Sequence, residues 1–409
     1  MTAIEWPGLA PERRRQDVPV IGVVSFAHLV SHFFQLVLPP VFPWIRAEFG
    51  YSYAQLGFVM SVLFLVSGLG QAAAGFAVDR WGARRVLQLG LASLACGAAV
   101  LAGAQSYAGF VIGAALLGVG NCVFHPVDFW LLNHRVSVVR LGPAFSIHGL
   151  AGSIGWALAP PFMVALAAPF GWRTAVLVAV LLPLAAMALV LYWRDILAPE
   201  HGESSATPAA DSAGSTFGFL RLPAIWLCFL FFAFVSAALG GVQSFAAVIF
   251  SGSYGLPLTT AAMSITLYMI ASGAGMLTGG WWVARNPHLE RNITVALMLS
   301  TGAAVLIGSG QLPAMLAFSL MAVMGFGSGL SGPSRDLLIR RAAPVGATGR
   351  VYGVVYSGLD AGIAVGPLAF GRMLDRGLSV EVFFAVAACL GCAVMTTWRV
   401  AARAGGTAD

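Results

Sequence analysis

The chain has 409 residues, of which 59% are hydrophobic and only 9% charged, with a mean hydropathy of +0.86; ordinary soluble domains carry about 25% charged residues. This composition excludes a soluble globular enzyme and makes lipid the natural solvent of the chain. The formal charge of +6 rests on 22 arginines and no lysine, which excludes a lysine-containing phosphate-binding loop and any lysine Schiff base. No cofactor is expected, and the arginines lie in short segments between apolar runs, a pattern of membrane topology and not of nucleic-acid binding.

In chain order, the polar segment 1–19 holds Arg13, Arg14 and Arg15 and leads, with no A-x-A cleavage site, into a retained apolar span. On a template of about 20 apolar residues per crossing, twelve helices are predicted, beginning near Val20, Ala54, Val86, Tyr107, Ala144, Trp172, Ala224, Thr260, Ile293, Pro313, Val351 and Val380. The first six form a bundle over residues 20–193. Residues 194–221, rich in Ala, Ser, Thr, Pro and Gly, read as a cytoplasmic linker. The second bundle covers 222–400, and 401–409 is a cytoplasmic tail. The expected fold is an all-α membrane protein of twelve transmembrane helices in two pseudo-symmetric six-helix bundles.

With a cytoplasmic N-terminus, 17 of the 22 arginines fall in inside segments and only Arg46, Arg173, Arg372 and Arg376 in outside loops, leaving Arg335 in a helix. That bias sets the expected orientation, with both termini inside.

The halves repeat. At an offset of 207, Gly118, Gly120, Pro126, Leu131, Gly142, Gly155 and Pro160 match Gly325, Gly327, Pro333, Leu338, Gly349, Gly362 and Pro367. At an offset of 205, Ser67, Gly68, Gly70, Gly75 and Arg80 match Ser272, Gly273, Gly275, Gly280 and Arg285. Two like halves of the same topology imply a pseudo-twofold axis along the membrane normal, the layout of a rocking secondary transporter.

Ionisable residues within spans are functional candidates, because each costs roughly 2.5–3.5 kcal/mol to insert. In the first helix His28, His32 and Gln35 share one face, and in the fourth Asn121, His125 and Asp128 do. They are expected to line a polar cavity, the alternative being satisfied groups on a helix–helix contact. In the tenth helix Arg335 stands 207 residues after Asp128, so the two occupy equivalent places in the repeat. Three readings of Arg335 stay open: a gate pair with Asp128, a bond to Asp336 or Asp360, or an anchor for an anionic group on a substrate. Asp360, near the middle of the eleventh helix, is the expected proton carrier, with Asp128 as a second coupling candidate; a fixed salt bridge to the tenth helix is the competing reading of Asp360. His148, one turn into the fifth helix, is expected at the membrane interface. No metal site is expected, since Cys96, Cys122, Cys228, Cys389 and Cys392 all lie in apolar runs without zinc spacing.

Residues Gly75 to Leu87 read GFAVDRWGARRVL. This resembles the loop between the second and third helices of the major facilitator superfamily, G-x-L-x-D-R-x-G-R-R, matched by Gly75, Asp79, Arg80, Gly82, Arg84 and Arg85 and departed from at Ala77 and Ala83. A second, decayed copy, GWWVARNP, keeps Gly280 and Arg285. The stretches Ser25 to Gly57, GNCVFHP and IHGLAGSIGWALAP are similar to the fosmidomycin-resistance branch of proton-driven efflux carriers. Gly155 with Pro160, and GIAVGPLAFG from Gly362 to Gly371, are similar to the antiporter pattern, although Ala159 replaces a glycine and His32 and Phe33 depart from the branch. The resemblance implies an inner-membrane carrier that exports a small organic molecule in exchange for protons by alternating access, acting as a monomer, with the Asp79 loop stabilising cytoplasmic closure. Its alternatives are an uptake symporter for an organic anion and a non-transporting sensor or assembly factor of the same fold. An enzyme is not expected.

Overall fold

The computed structural model describes residues 11–197, 222–286, 288–342 and 348–405. The expected linker from residue 198 to Arg221, most of segment 1–19 and the end of the tail lie outside the described residues. Among those residues every regular element is a helix. The first half comprises α1 (Pro11–Gln35), α2 (Phe42–Phe49), α3 (Tyr53–Trp81), α4 (Ala83–Ala102), α5 (Tyr107–Asn121), α6 (Phe124–Arg135), α7 (Val138–Phe170), α8 (Trp172–Ala179) and α9 (Leu181–Tyr192). The second comprises α10 (Pro223–Gly252), α11 (Leu258–Arg285), α12 (Leu289–Gly308), α13 (Ala314–Ala342), α14 (Thr348–Asp375) and α15 (Val382–Gly405).

Among the described residues, eleven segments are long and apolar enough to cross a membrane. The 28-residue α14, which carries Asp360, takes the remaining place in the expected order of twelve. Two crossings are broken by proline. Pro126 has no N–H for the carbonyl of Cys122, and the fourth crossing is interrupted between α5 and α6 at Cys122 and Val123. Pro183 does the same between α8 and α9. The turn after α3 is made by Gly82, whose φ of +81° is closed to most side chains.

The internal repeat is physical. A Cβ at Gly118 would strike the carbonyl of Leu63, and one at Gly325 would strike that of Tyr268, 205 residues after Leu63. Gly155 lies against the carbonyl of Leu29 and the N–H of Phe33; Gly362 lies against the carbonyl of Ala233 and the N–H of Ala237. Each half therefore packs its first and fifth crossings through one glycine seat, and residues of α1 correspond to residues of α10 at an offset of 204.

The halves meet along two pairs that the pseudo-twofold exchanges, α3 with α14 and α7 with α11. Described contacts between them gather at the end that carries Tyr53 and Asp375. There Asp375 accepts hydrogen bonds from Tyr53 N (2.7 Å) and Ala54 N (2.8 Å) and faces Arg46 at 3.6 Å. Phe245 packs against Phe42 and Tyr53, and Trp44 covers Val164, Ala247 and Ala262.

Candidate functional site

The break in the fourth crossing leaves Asn121 at the end of α5, buried among three other helices. Its Oδ1 accepts hydrogen bonds from Ser31 Oγ and from Gln35 Nε2 (3.1 Å), and its Nδ2 donates to Ser67 Oγ at 2.7 Å. Gln35 is held in turn by Trp156, whose Nε1 donates to Gln35 Oε1 at 2.9 Å. A polar network thus ties α1, α3, α5 and α7 at one level. Buried amides are kept when their donors and acceptors are paired, and here nearly all are.

Next to this network lies a cluster of four histidines. His28 stacks on His148 with ring centroids 3.7 Å apart, tilts against His32 at 4.3 Å, and meets His125 edge-on at 5.3 Å. His32 also packs on the Trp156 ring at 4.4 Å. Asp128, fully buried, stands below them, with its Oδ2 3.1 Å from His28 Nδ1 and 3.9 Å from His148 Nε2. His28, His32 and His148 are buried and His125 is half-buried. The rings fit because α7 supplies Gly152, where a Cβ would come within 2.9 Å of His28 Nε2 and 2.8 Å of His32 Nδ1.

The sequence placed His28, His32, Gln35, Asn121, His125 and Asp128 on polar faces, and the structure brings all six together. His148, expected from the sequence at the membrane interface, is a buried member of the cluster, stacked on His28 beside Asp128. The helix that carries it starts at Val138, six residues before the expected Ala144, because Pro143 lies inside α7 and does not open it; His148 is therefore about three turns into the helix. Ser31, Ser67 and Trp156 were not singled out by sequence. Their polar atoms have meaning only through Asn121 and Gln35, which no spacing along one helix reveals.

The gate contact between Asp128 and Arg335 is not made in this conformation. Asp128 is turned to His28, whereas Arg335 Nε donates to Asp336 Oδ1 at 2.9 Å and its guanidinium lies 4.8 Å from the centre of the Phe232 ring. The two sites are nonetheless counterparts: Phe232 is 204 residues after His28, and Arg335 is 207 after Asp128. A histidine–carboxylate pair in one half stands where the other has a phenyl–guanidinium pair.

Asp360 is half-buried on α14 at the contact between halves. Its side chain rests on Gly68, where a Cβ would come within 2.7 Å, and Gln71 Nε2 reaches its Oδ2 at 3.5 Å. Of the loop motif, Gly82 makes the turn after α3 and Arg84 donates to the carbonyl of Arg194 (3.0 Å), tying the loop to the end of the sixth crossing. Gly75 has open space around its Cα, Arg80 and Arg85 are exposed, and the Asp79 side chain lies outside the described residues.

Comparison with known proteins accords with this architecture. Residues 24–367 match the sequence family described as Major Facilitator Superfamily. The fosmidomycin resistance protein of Escherichia coli (strain K12) is 24% identical over 270 residues, 66% of this chain and 66% of that protein. An MFS-type transporter of Bacillus subtilis (strain 168) is 24% identical over 376 residues, 90% of each. Among solved structures, a bacterial homologue of the human lysosomal transporter Spinster, in an inward-facing and occupied conformation, superposes with a TM-score of 0.72. It shares 15% identity, with 97% of this chain and 96% of that one covered.

Proposed function

The chain belongs to the major facilitator superfamily, and on that premise we propose that it is a proton-coupled exporter of a small organic molecule. Secondary transport of small molecules is the family's work; the coupling, direction and orientation are the further steps. The carboxyl of Asp360 carries the coupling. It is the half-buried ionisable group seated where α14 slides on α3, against Gly68 and Gln71 of the opposite half. A carboxyl at a moving contact can bind a proton when one face is open and yield it when the other is, and its charge state biases the two arrangements.

Export is supported by the likeness to the fosmidomycin resistance protein. Placement of both termini and the Asp79 loop in the cytoplasm is supported by the arginine bias; the inner membrane and a monomeric carrier are carried over from the family resemblance. In that orientation the contacts around Asp375 close the outer face. The uptake reading, in which Arg335 anchors an anion, is disfavoured by the bond of Arg335 to Asp336 and its seat over Phe232.

The test uses cells lacking their own fosmidomycin resistance protein and everted vesicles made from them. The wild-type chain is expected to raise fosmidomycin tolerance and to release protons from acid-loaded vesicles when the drug is added. Asp360→Asn should abolish the proton signal and uphill transport while leaving drug exchange. A wild-type rate of uphill transport in Asp360→Asn would reject Asp360 as the coupling group; tolerance unchanged by the wild-type chain would reject this drug as cargo.

A further inference from the structure

The histidine cluster has more chemistry than an organic cavity requires. We propose that His28, His32, His125 and His148, with Asp128, form a binding site for one divalent transition-metal ion, with zinc as the reference ion.

Three observations carry the assignment. The first is convergence: one ligand atom each from His28, His32 and His125 lie within 4.8 Å of one another, and so do those of His28, Asp128 and His148. His28 belongs to both groups. With Nδ1 turned to Asp128, its Nε2 is left on the side where His32 Nδ1 also points, both within 2.9 Å of the place a Cβ on Gly152 would take. A metal-bound imidazole characteristically gives its other N–H to a carboxylate, which fixes the tautomer and ring direction. His28 with Asp128 has that arrangement before any ion arrives.

The second observation is unmet polarity. Neither nitrogen of His32, neither nitrogen of His148 and not Asp128 Oδ1 makes a well-formed hydrogen bond, and all are buried. The polar groups around His32 are the Gly152 backbone and the rings of His28 and His125. Buried polar atoms are ordinarily paired, so this gathering of unpaired ones on neighbouring rings leaves at least one imidazole lone pair on each of His32 and His148 without an acceptor, a want that a metal ion meets. Imidazole nitrogens with one carboxylate suit zinc, nickel, copper or iron(II) and are a poor set for magnesium or calcium.

The third is the comparison of the halves. At the equivalent places the second half has Phe232, Ser236, Gly332 and Val355 for His28, His32, His125 and His148. The same scaffold therefore closes without a single imidazole, so packing does not demand the four histidines. His125, half-buried, gives the ion its way in. The site stands on geometry within the first half and is independent of the direction or coupling of transport.

The experiment is a calorimetric titration of the full chain in detergent, purified without a polyhistidine tag, with zinc chloride. Saturable binding near one ion per chain is expected. His28→Ala with His32→Ala should abolish it, Asp128→Asn should weaken it by roughly 10–100-fold as the loss of an orienting carboxylate does, and His134→Ala with His288→Ala should leave it unchanged. Gly152→Ala, whose methyl would crowd His28 Nε2 and His32 Nδ1 while keeping every ligand, should weaken it as well. Zinc-edge X-ray absorption on the wild type reads the ligands without any variant and should give three or more nitrogen neighbours at about 2.0–2.1 Å. No saturable binding to the wild type, binding that survives the double histidine variant in a folded protein, or an oxygen-only coordination shell would each overturn the assignment.

Discussion

Asn121 shows how one side chain can organise a membrane interior. It accepts from Ser31 and Gln35 and donates to Ser67, joining three crossings through a single amide. Hydrogen bonds between membrane helices average about 0.6 kcal/mol and reach about 1.7. Asn121→Ala is therefore expected to lower stability by about 1–3 kcal/mol, and Ser67→Ala, which removes only the acceptor of the Nδ2 bond, by less. Thermal unfolding in detergent checks the order. At this scale the sequence was informative about which residues are polar and at what depth, since both follow from local hydropathy. It was silent about direction around the helix. Asp128 and Arg335 occupy equivalent places in the repeat, but that equivalence does not say that Asp128 turns to His28 and Arg335 to Asp336 and Phe232.

At the scale of the helix, α7 carries the clearest contrast. A methyl added at Gly149 would meet open space, whereas Gly155 abuts the backbone of Leu29 and Phe33 on α1. The two glycines should respond to alanine with opposite signs. Gly149→Ala is expected to stabilise by about 0.5–1 kcal/mol, the helix-propensity difference; Gly155→Ala is expected to destabilise by about 1–3 kcal/mol through overpacking against backbone that cannot yield. Melting temperatures of the paired variants, with yield of folded protein, decide it. Helix order and the repeat were legible in the sequence because apolar length and glycine register are properties of the chain itself. The start of α7 was not, because a proline that usually opens a helix here lies within one, and the buried place of His148 was lost with it.

At the scale of the molecule, Asp375 bridges the halves by accepting from the first N–H groups of α3. A carboxylate capping a helix start is worth about 1 kcal/mol, and Arg46 at 3.6 Å adds to it. Alternating access must break this cap when that face opens. Asp375→Ala should then shift the resting population toward opening at the Tyr53 end by about 1–2 kcal/mol, a ratio change of roughly 5–30-fold. Spin labels at Ser106→Cys and Gln311→Cys, which lie at that end of the two halves, would report it as a longer distance in the Asp375→Ala protein; an unchanged distance distribution would show that the cap does not hold the face shut.

The divergence of the two halves at their matched positions bears on how any guest can lie between them. In a perfect duplicate, a molecule on the twofold axis would have two poses of equal energy, one the half-turn of the other, and the scaffold could not tell its head from its tail. Here His28 with Asp128 faces one flank and Phe232 with Arg335 occupies the matched place on the other. One flank offers lone pairs and a carboxylate, the other a guanidinium on an aromatic ring. The degeneracy is lifted at the point where the duplication is otherwise best preserved, so the carrier has a handed interior inside a nearly symmetric frame.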